Sequence, residues 1–214
     1  MRMSKRQALS LSLTPAGMFG ASLIEVLVSI VIASIGLLAL AGVNAASIRY
    51  TKMSQYRATA TQLANDIGER MRANKGVPAA AAVVGPPAIP AVVATGFFAG
   101  NYDFTTDFAG QGTKAILPTN SNDLCNTSAL NCSPAQIATL DLLQWRILVR
   151  DQLPDGSVIL KPDLGAVAMD VWVAWRDPAV ANTDDAPALL HECPDDLGSA
   201  DDPSIRCSFF RINL

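Results

Sequence analysis

Histidine is nearly absent from this chain: His191 is the single one in 214 residues. That removes most routes to general acid–base catalysis near neutral pH and to imidazole-rich metal sites. Neither GxSxG nor HExxH nor a P-loop signature occurs, so the common hydrolase and nucleotide-binding constellations are missing. A metal site from His191 and Glu192 competes with a surface-loop histidine, and the second is the commoner arrangement. No CxxC pair occurs among the four cysteines, which argues against a zinc ribbon. Charge is also scarce at 16% of residues, and between Val26 and Val43 there is none over 18 positions.

That charge-free run is long enough to decide the class. As a helix, 18–20 residues at about 1.5 Å each nearly span a hydrocarbon core of about 30 Å. A secretory signal peptide has a shorter apolar core and a small-residue cut site after it, and neither fits here. Basic residues Arg2, Lys5 and Arg6 precede every acidic one and favour a cytoplasmic N-terminus. Arg49, Lys52 and Arg57 on the other flank nearly balance them. The cysteines break the tie by placing the C-terminal part in an oxidising compartment.

The formal net charge is −3, and without residues 1–20 the chain keeps 13 basic against 19 acidic residues, a net −6. A chain that acidic gives no general reason to expect nucleic-acid binding. Cys125, Cys132, Cys193 and Cys207 all follow the apolar run and allow three pairings. The short spacings favour Cys125–Cys132 and Cys193–Cys207, each stapling a loop with little hydrophobic content of its own.

Glu25 is the residue that a plain anchor leaves unexplained. It stands at the edge of the apolar run, five residues past Gly20. A carboxylate in hydrocarbon is costly unless paired, so an intramembrane acid is a functional hypothesis by default. Cutting the chain after Gly20 creates a partner, the α-amino group of Ala21. Amine and carboxylate of neighbouring subunits then neutralise each other in a low-dielectric core.

On these residues the chain resembles the type IV pilin family. The stretch Gly20-Ala21-Ser22-Leu23-Ile24-Glu25-Val26-Leu27-Val28 looks like the prepilin motif. LIEVLVSIVIASIGLLALAG at 23–42 and LANDIGERMRAN at 63–74 extend the likeness to the PilV-type minor pilins. The resemblance implies a leader at 1–20, cleavage by a prepilin peptidase between Gly20 and Ala21, and N-methylation of Ala21. It further implies an anchor that becomes filament core, with Glu25 in the pairing role. Implied partners are the prepilin peptidase, other minor pilins, the major pilin, a pilus-tip adhesin and the inner membrane, with no cofactor. The implied function is helping to initiate, assemble or modify a type IV pilus that supports adhesion or twitching. A minor pseudopilin of a type II secretion system shares the same N-terminus. The implied location is the inner membrane with the C-terminal domain in the periplasm, then the surface of a Gram-negative bacterium.

The expected fold is α+β. A helix over 21–74 has an apolar part at 21–43 and an amphipathic part at 44–74. In the second part Met53, Tyr56, Ala60, Leu63, Ile67 and Met71 recur at steps of three and four. A domain over 75–214 follows. Residues 77–98, with Pro78, Pro86, Pro87 and Pro90 and no charge, read as an extended loop. That loop lies on its own domain or on a neighbour. Ser133-Pro134 looks like a helix start. After it Ile137, Leu140, Leu143, Ile147 and Leu148 mark the apolar stripe of a second helix, with Trp145 off the stripe. Pro154-Asp155-Gly156 is a turn into Ser157–Leu160. Residues 167–176 and 205–214 read as further antiparallel strands. Trp172 and Trp175 read as core and cover rather than a binding face. The acidic pairs Asp184-Asp185, Asp195-Asp196 and Asp201-Asp202 lack EF-hand spacing and read as solvated loop.

Overall fold

A computed structural model describes residues 22–120, 124–125, 130–177, 192–199 and 202–214. Two compact units divide between Ser47 and Ile48. Helix α1, Leu23–Ala73, belongs to both. Its first half is exposed along its whole length among the described residues. No proline interrupts it, and Leu, Ala, Ile and Val dominate.

The second unit is α+β. The amphipathic part of α1 buries Ala60, Leu63, Ala64, Ile67, Gly68 and Met71, while Met53 and Tyr56 are half-buried. Full burial of a side chain such as Ile67 or Met71 stabilises by about 1.5–3 kcal/mol relative to exposure. Gly68 brings the helix onto the sheet: a Cβ there would stand 3.2 Å from the Ile212 side chain. Arg70 and Arg72 in the last turn suit the negative end of the helix dipole.

Beyond α1 the chain leaves and returns through two glycines. Gly76 (φ 72°) and Gly96 (φ 59°) occupy left-handed conformations, and a Cβ at either would meet backbone oxygen at 2.2 Å. Any side chain there is excluded. Between them the chain forms an exposed hairpin held by two antiparallel bridges, Ala80↔Val92 and Val83↔Ile89. The prolines keep it from becoming a longer ladder. The extended loop expected over 77–98 is shorter than that. Gly96–Ala99 is a 3₁₀ turn whose Phe97 is fully buried.

Helix α2, Pro134–Gln152, starts at Ser133 with a reciprocal cap. Ser133 Oγ accepts from the Gln136 N–H, and the Gln136 side chain takes the Ser133 N–H. Its buried face is Ala138, Leu142, Trp145 and Val149, with Leu140 beside it. This corrects the stripe expected from the aliphatic residues. Ile137, Leu143, Ile147 and Leu148 are only half-buried, and Trp145, expected off the stripe, is fully buried. Spacings of four, three and four centre the face on the tryptophan, the largest side chain available to fill the core.

The sheet is a three-stranded antiparallel meander in the order β1 (Ser157–Asp163), β2 (Ala168–Arg176), β3 (Ile205–Asn213). One face carries Val158, Leu160, Met169, Val171, Val173 and Trp175 into the main core with α1 and α2. The other face carries Ile159, Ala174, Ile205 and Cys207, covered by Leu197 and Phe108. Trp175 is core as expected; Trp172 is half-buried and stacks on Phe209 at 4.8 Å between centroids.

Candidate functional site

Of the residues singled out for assembly, Glu25 alone falls among the described residues, at the start of α1. Gly20 and Ala21 lie outside the described residues; Glu25 does not. It sits in the first turn of α1, and its N–H donates to the Ser22 carbonyl at 2.9 Å. Downstream, Leu23, Ile24, Val26, Leu27, Val28, Ile30 and their successors are 48–78% exposed. The stretch is apolar and long enough to cross a membrane. Its serines are internally satisfied: Ser29 Oγ donates to the Glu25 carbonyl at 2.6 Å, and Ser34 Oγ to the Ile30 carbonyl at 2.7 Å. Back-bonded hydroxyls remove polar donors from the helix surface and let the run behave as hydrocarbon. Glu25 is then the one carboxylate that this surface has to accommodate.

The cysteines are oxidised in two local pairs. Cys125–Cys132 closes a loop of seven residues beside α2, and Cys193–Cys207 closes one of fourteen onto β3. Arg57 holds the second loop from α1 through Glu192 at 2.9 Å.

Among the described residues no three His, Cys, Asp or Glu side chains converge as for a metal. His191, Asp184, Asp185 and Asp201 lie outside the described residues. Asp202 is committed to Arg176 at 2.7 Å and to Ser204 at 2.5 Å, and the Ser204 hydroxyl is the larger cause of its lowered pKa. Asp196 pairs with Lys161.

One polar network in the core escaped the sequence reading. Tyr102 is fully buried and donates to Asp141 at 2.7 Å, Arg70 reaches Asp141 at 3.5 Å, and Asn74 donates to Tyr102 at 3.1 Å. Burial first, and the bond to Asp141 second, push the Tyr102 phenol above its ordinary range. No single periodicity marks these residues, because the end of α1 and the residue after it supply Arg70 and Asn74, α2 supplies Asp141 and the chain between them supplies Tyr102.

No family model, no curated protein and no solved structure matches this chain.

Proposed function

We propose that this protein is a minor type IV pilin, a filament subunit of the PilV kind. Its work is assembly: helping to initiate or modify the pilus rather than turning over a substrate. The observation that carries the reading is Glu25 in the first turn of a helix whose next 18 residues are uncharged and exposed. An exposed apolar helix needs lipid before assembly and neighbouring helices after it. The acid at its start needs a cation, and cleavage after Gly20 makes one at Ala21. In this reading the prepilin peptidase cuts and methylates the chain at the inner membrane. Other minor pilins and the major pilin then pack along residues 23–43. The disulfide-bearing domain stands in the periplasm and offers contacts to them and to a tip adhesin.

The test is the leader junction. Gly20→Trp blocks the close approach that a peptidase needs at the cut site, so the variant accumulates in the membrane as a precursor larger than the wild-type product. A Gly20→Trp protein of the same size as the wild type, by immunoblot of membranes, contradicts the proposal.

A further inference from the structure

The two edges of the sheet are finished differently. The phase of the β2–β3 ladder is set at its ends, where Asp177 N–H donates to the Ser204 carbonyl (2.7 Å) and Leu214 N–H to the Val167 carbonyl (3.0 Å). With that phase, even-numbered residues of β3 bond to β2 and odd-numbered ones turn their main-chain groups outward. On β1 the outward residues are Val158, Leu160 and Pro162. The Gln111 side chain takes both main-chain groups of Val158, at 3.0 and 2.9 Å. Phe104 takes both of Leu160, at 2.8 and 3.0 Å. Pro162 has no N–H to offer. That edge is closed.

On β3 the outward ends are also tied. Ile205 N–H donates to the Asp202 carbonyl at 3.1 Å, and the Asn213 carbonyl accepts from Arg72 at 2.9 Å. Cys207 is buried and bonded to Cys193. Phe209 and Arg211 remain, and their N–H and C=O groups have no partner among the described residues. A groove of about 380 Å³ borders this stretch, walled by Arg57 and Thr61 of α1 and by Ser208, Phe209 and Phe210 of β3. Arg57 and Glu192 pair with each other across it. An open edge of this kind recognises main chain, so what fits it is an extended strand.

The same chain exposes such a strand. Ala79–Val84 is exposed, uncharged and free of proline, and forms one arm of the hairpin. Ala80 and Val83 bond back across the hairpin, whereas the main-chain groups of Ala81, Ala82 and Val84 have no partner among the described residues. Four alanines in this segment keep the side chains beside its main chain small. The absence of charge matches a groove whose ions are already paired. We infer that Ala79–Val84 of one copy adds as a strand to the Phe209–Arg211 edge of a second copy. Donor and acceptor are different surfaces, so the contact is head-to-tail and propagates rather than closing as a symmetric dimer. It does not depend on processing after Gly20.

Analytical ultracentrifugation of the full chain in detergent micelles, over a concentration series, tests this. Wild type gives dimers and then larger species. Phe209→Pro removes an N–H that the β2 ladder does not use, and Ala82→Pro one that the hairpin does not use. Each variant alone stays monomeric at concentrations at least tenfold higher than those at which the wild type associates. A one-to-one mixture of the two forms a dimer and nothing larger, because one retains the donor and the other the acceptor. The inference is overturned by a monomeric wild type, by association of Phe209→Pro alone, by association of Ala82→Pro alone (symmetric β3 pairing) or by a mixture that stays monomeric. If Phe209→Pro does not fold, hydrogen exchange of the wild-type protein decides. The Phe209 and Arg211 amides slow with increasing concentration if the inference holds, and exchange at an unchanged rate if it does not.

Discussion

The indole N–H of Trp145 donates to the main-chain carbonyl of Leu63 at 2.8 Å, so the largest side chain of α2 is bolted to the backbone of α1 inside the core. Both residues are buried. Trp145→Phe keeps most of the ring and loses the bond, a cost of about 1–2 kcal/mol. Trp145→Ala also opens a cavity and costs about 3–5 kcal/mol. Urea unfolding of the full chain in micelles, followed by near-UV circular dichroism, gives the two values. Equal costs for the two variants would show that the bond and the ring volume do not contribute separately.

The two disulfides differ in what they hold. Loop-closure entropy alone assigns about 2–3 kcal/mol to each, slightly more to the fourteen-residue loop. Cys207 is also part of a packed cluster with Ile159, Ala174, Leu197 and Ile205, whereas Cys125 and Cys132 are not buried. The double change Cys193→Ser with Cys207→Ser therefore lowers stability more than Cys125→Ser with Cys132→Ser. Denaturation midpoints of the two double variants in the same detergent check the order.

Stability falls at both ends of the pH range. The hydrogen bond from Ser204, then that from Arg176, holds the Asp202 carboxyl below its ordinary value. The stability it contributes is present above the unfolded carboxylate pKa of about 4 and is lost as pH falls through the folded value. Asp202→Asn flattens the acid limb of a stability–pH curve. The Tyr102 phenol is raised, first by burial and then by Asp141. Its contribution is full below about pH 10 and lost as pH rises beyond that. Tyr102→Phe flattens the alkaline limb; an alkaline limb unchanged by that substitution would contradict the assignment.

In the proposed function, Glu25 separates insertion from assembly. Glu25→Ala makes the first turn of α1 more apolar, so membrane insertion is retained. Under the proposed function, the pairing with the Ala21 amine of a neighbour is lost, and incorporation into sheared filaments drops at least tenfold. Wild-type incorporation of Glu25→Ala would remove the pairing role.

Much of the architecture was legible because it rests on local rules. The stripe from Ala60 to Met71, the Ser133-Pro134 start and the alternation of β2 each follow from one element's own periodicity. Helix α2 shows where local rules stop. Counting aliphatic residues drew the stripe through Ile137 and Leu143, while packing buried Ala138 and Trp145 on the neighbouring face. The open stretch at Phe209 and Arg211 was not legible either. It depends on the phase of the ladder, and on a glutamine from a distant loop closing the opposite edge. The proposed assembly site at Gly20, Ala21 and Glu25 was read from the motif, since an acid beside an uncharged run is unusual enough to stand out by itself.

The central claim is that a cation made by processing accompanies Glu25. Intact-mass and N-terminal peptide mass spectrometry of the native protein measures this directly. The account predicts a chain that begins at Ala21 and carries one N-methyl group. A chain that still begins at Met1, or one that begins beyond Val43, contradicts it.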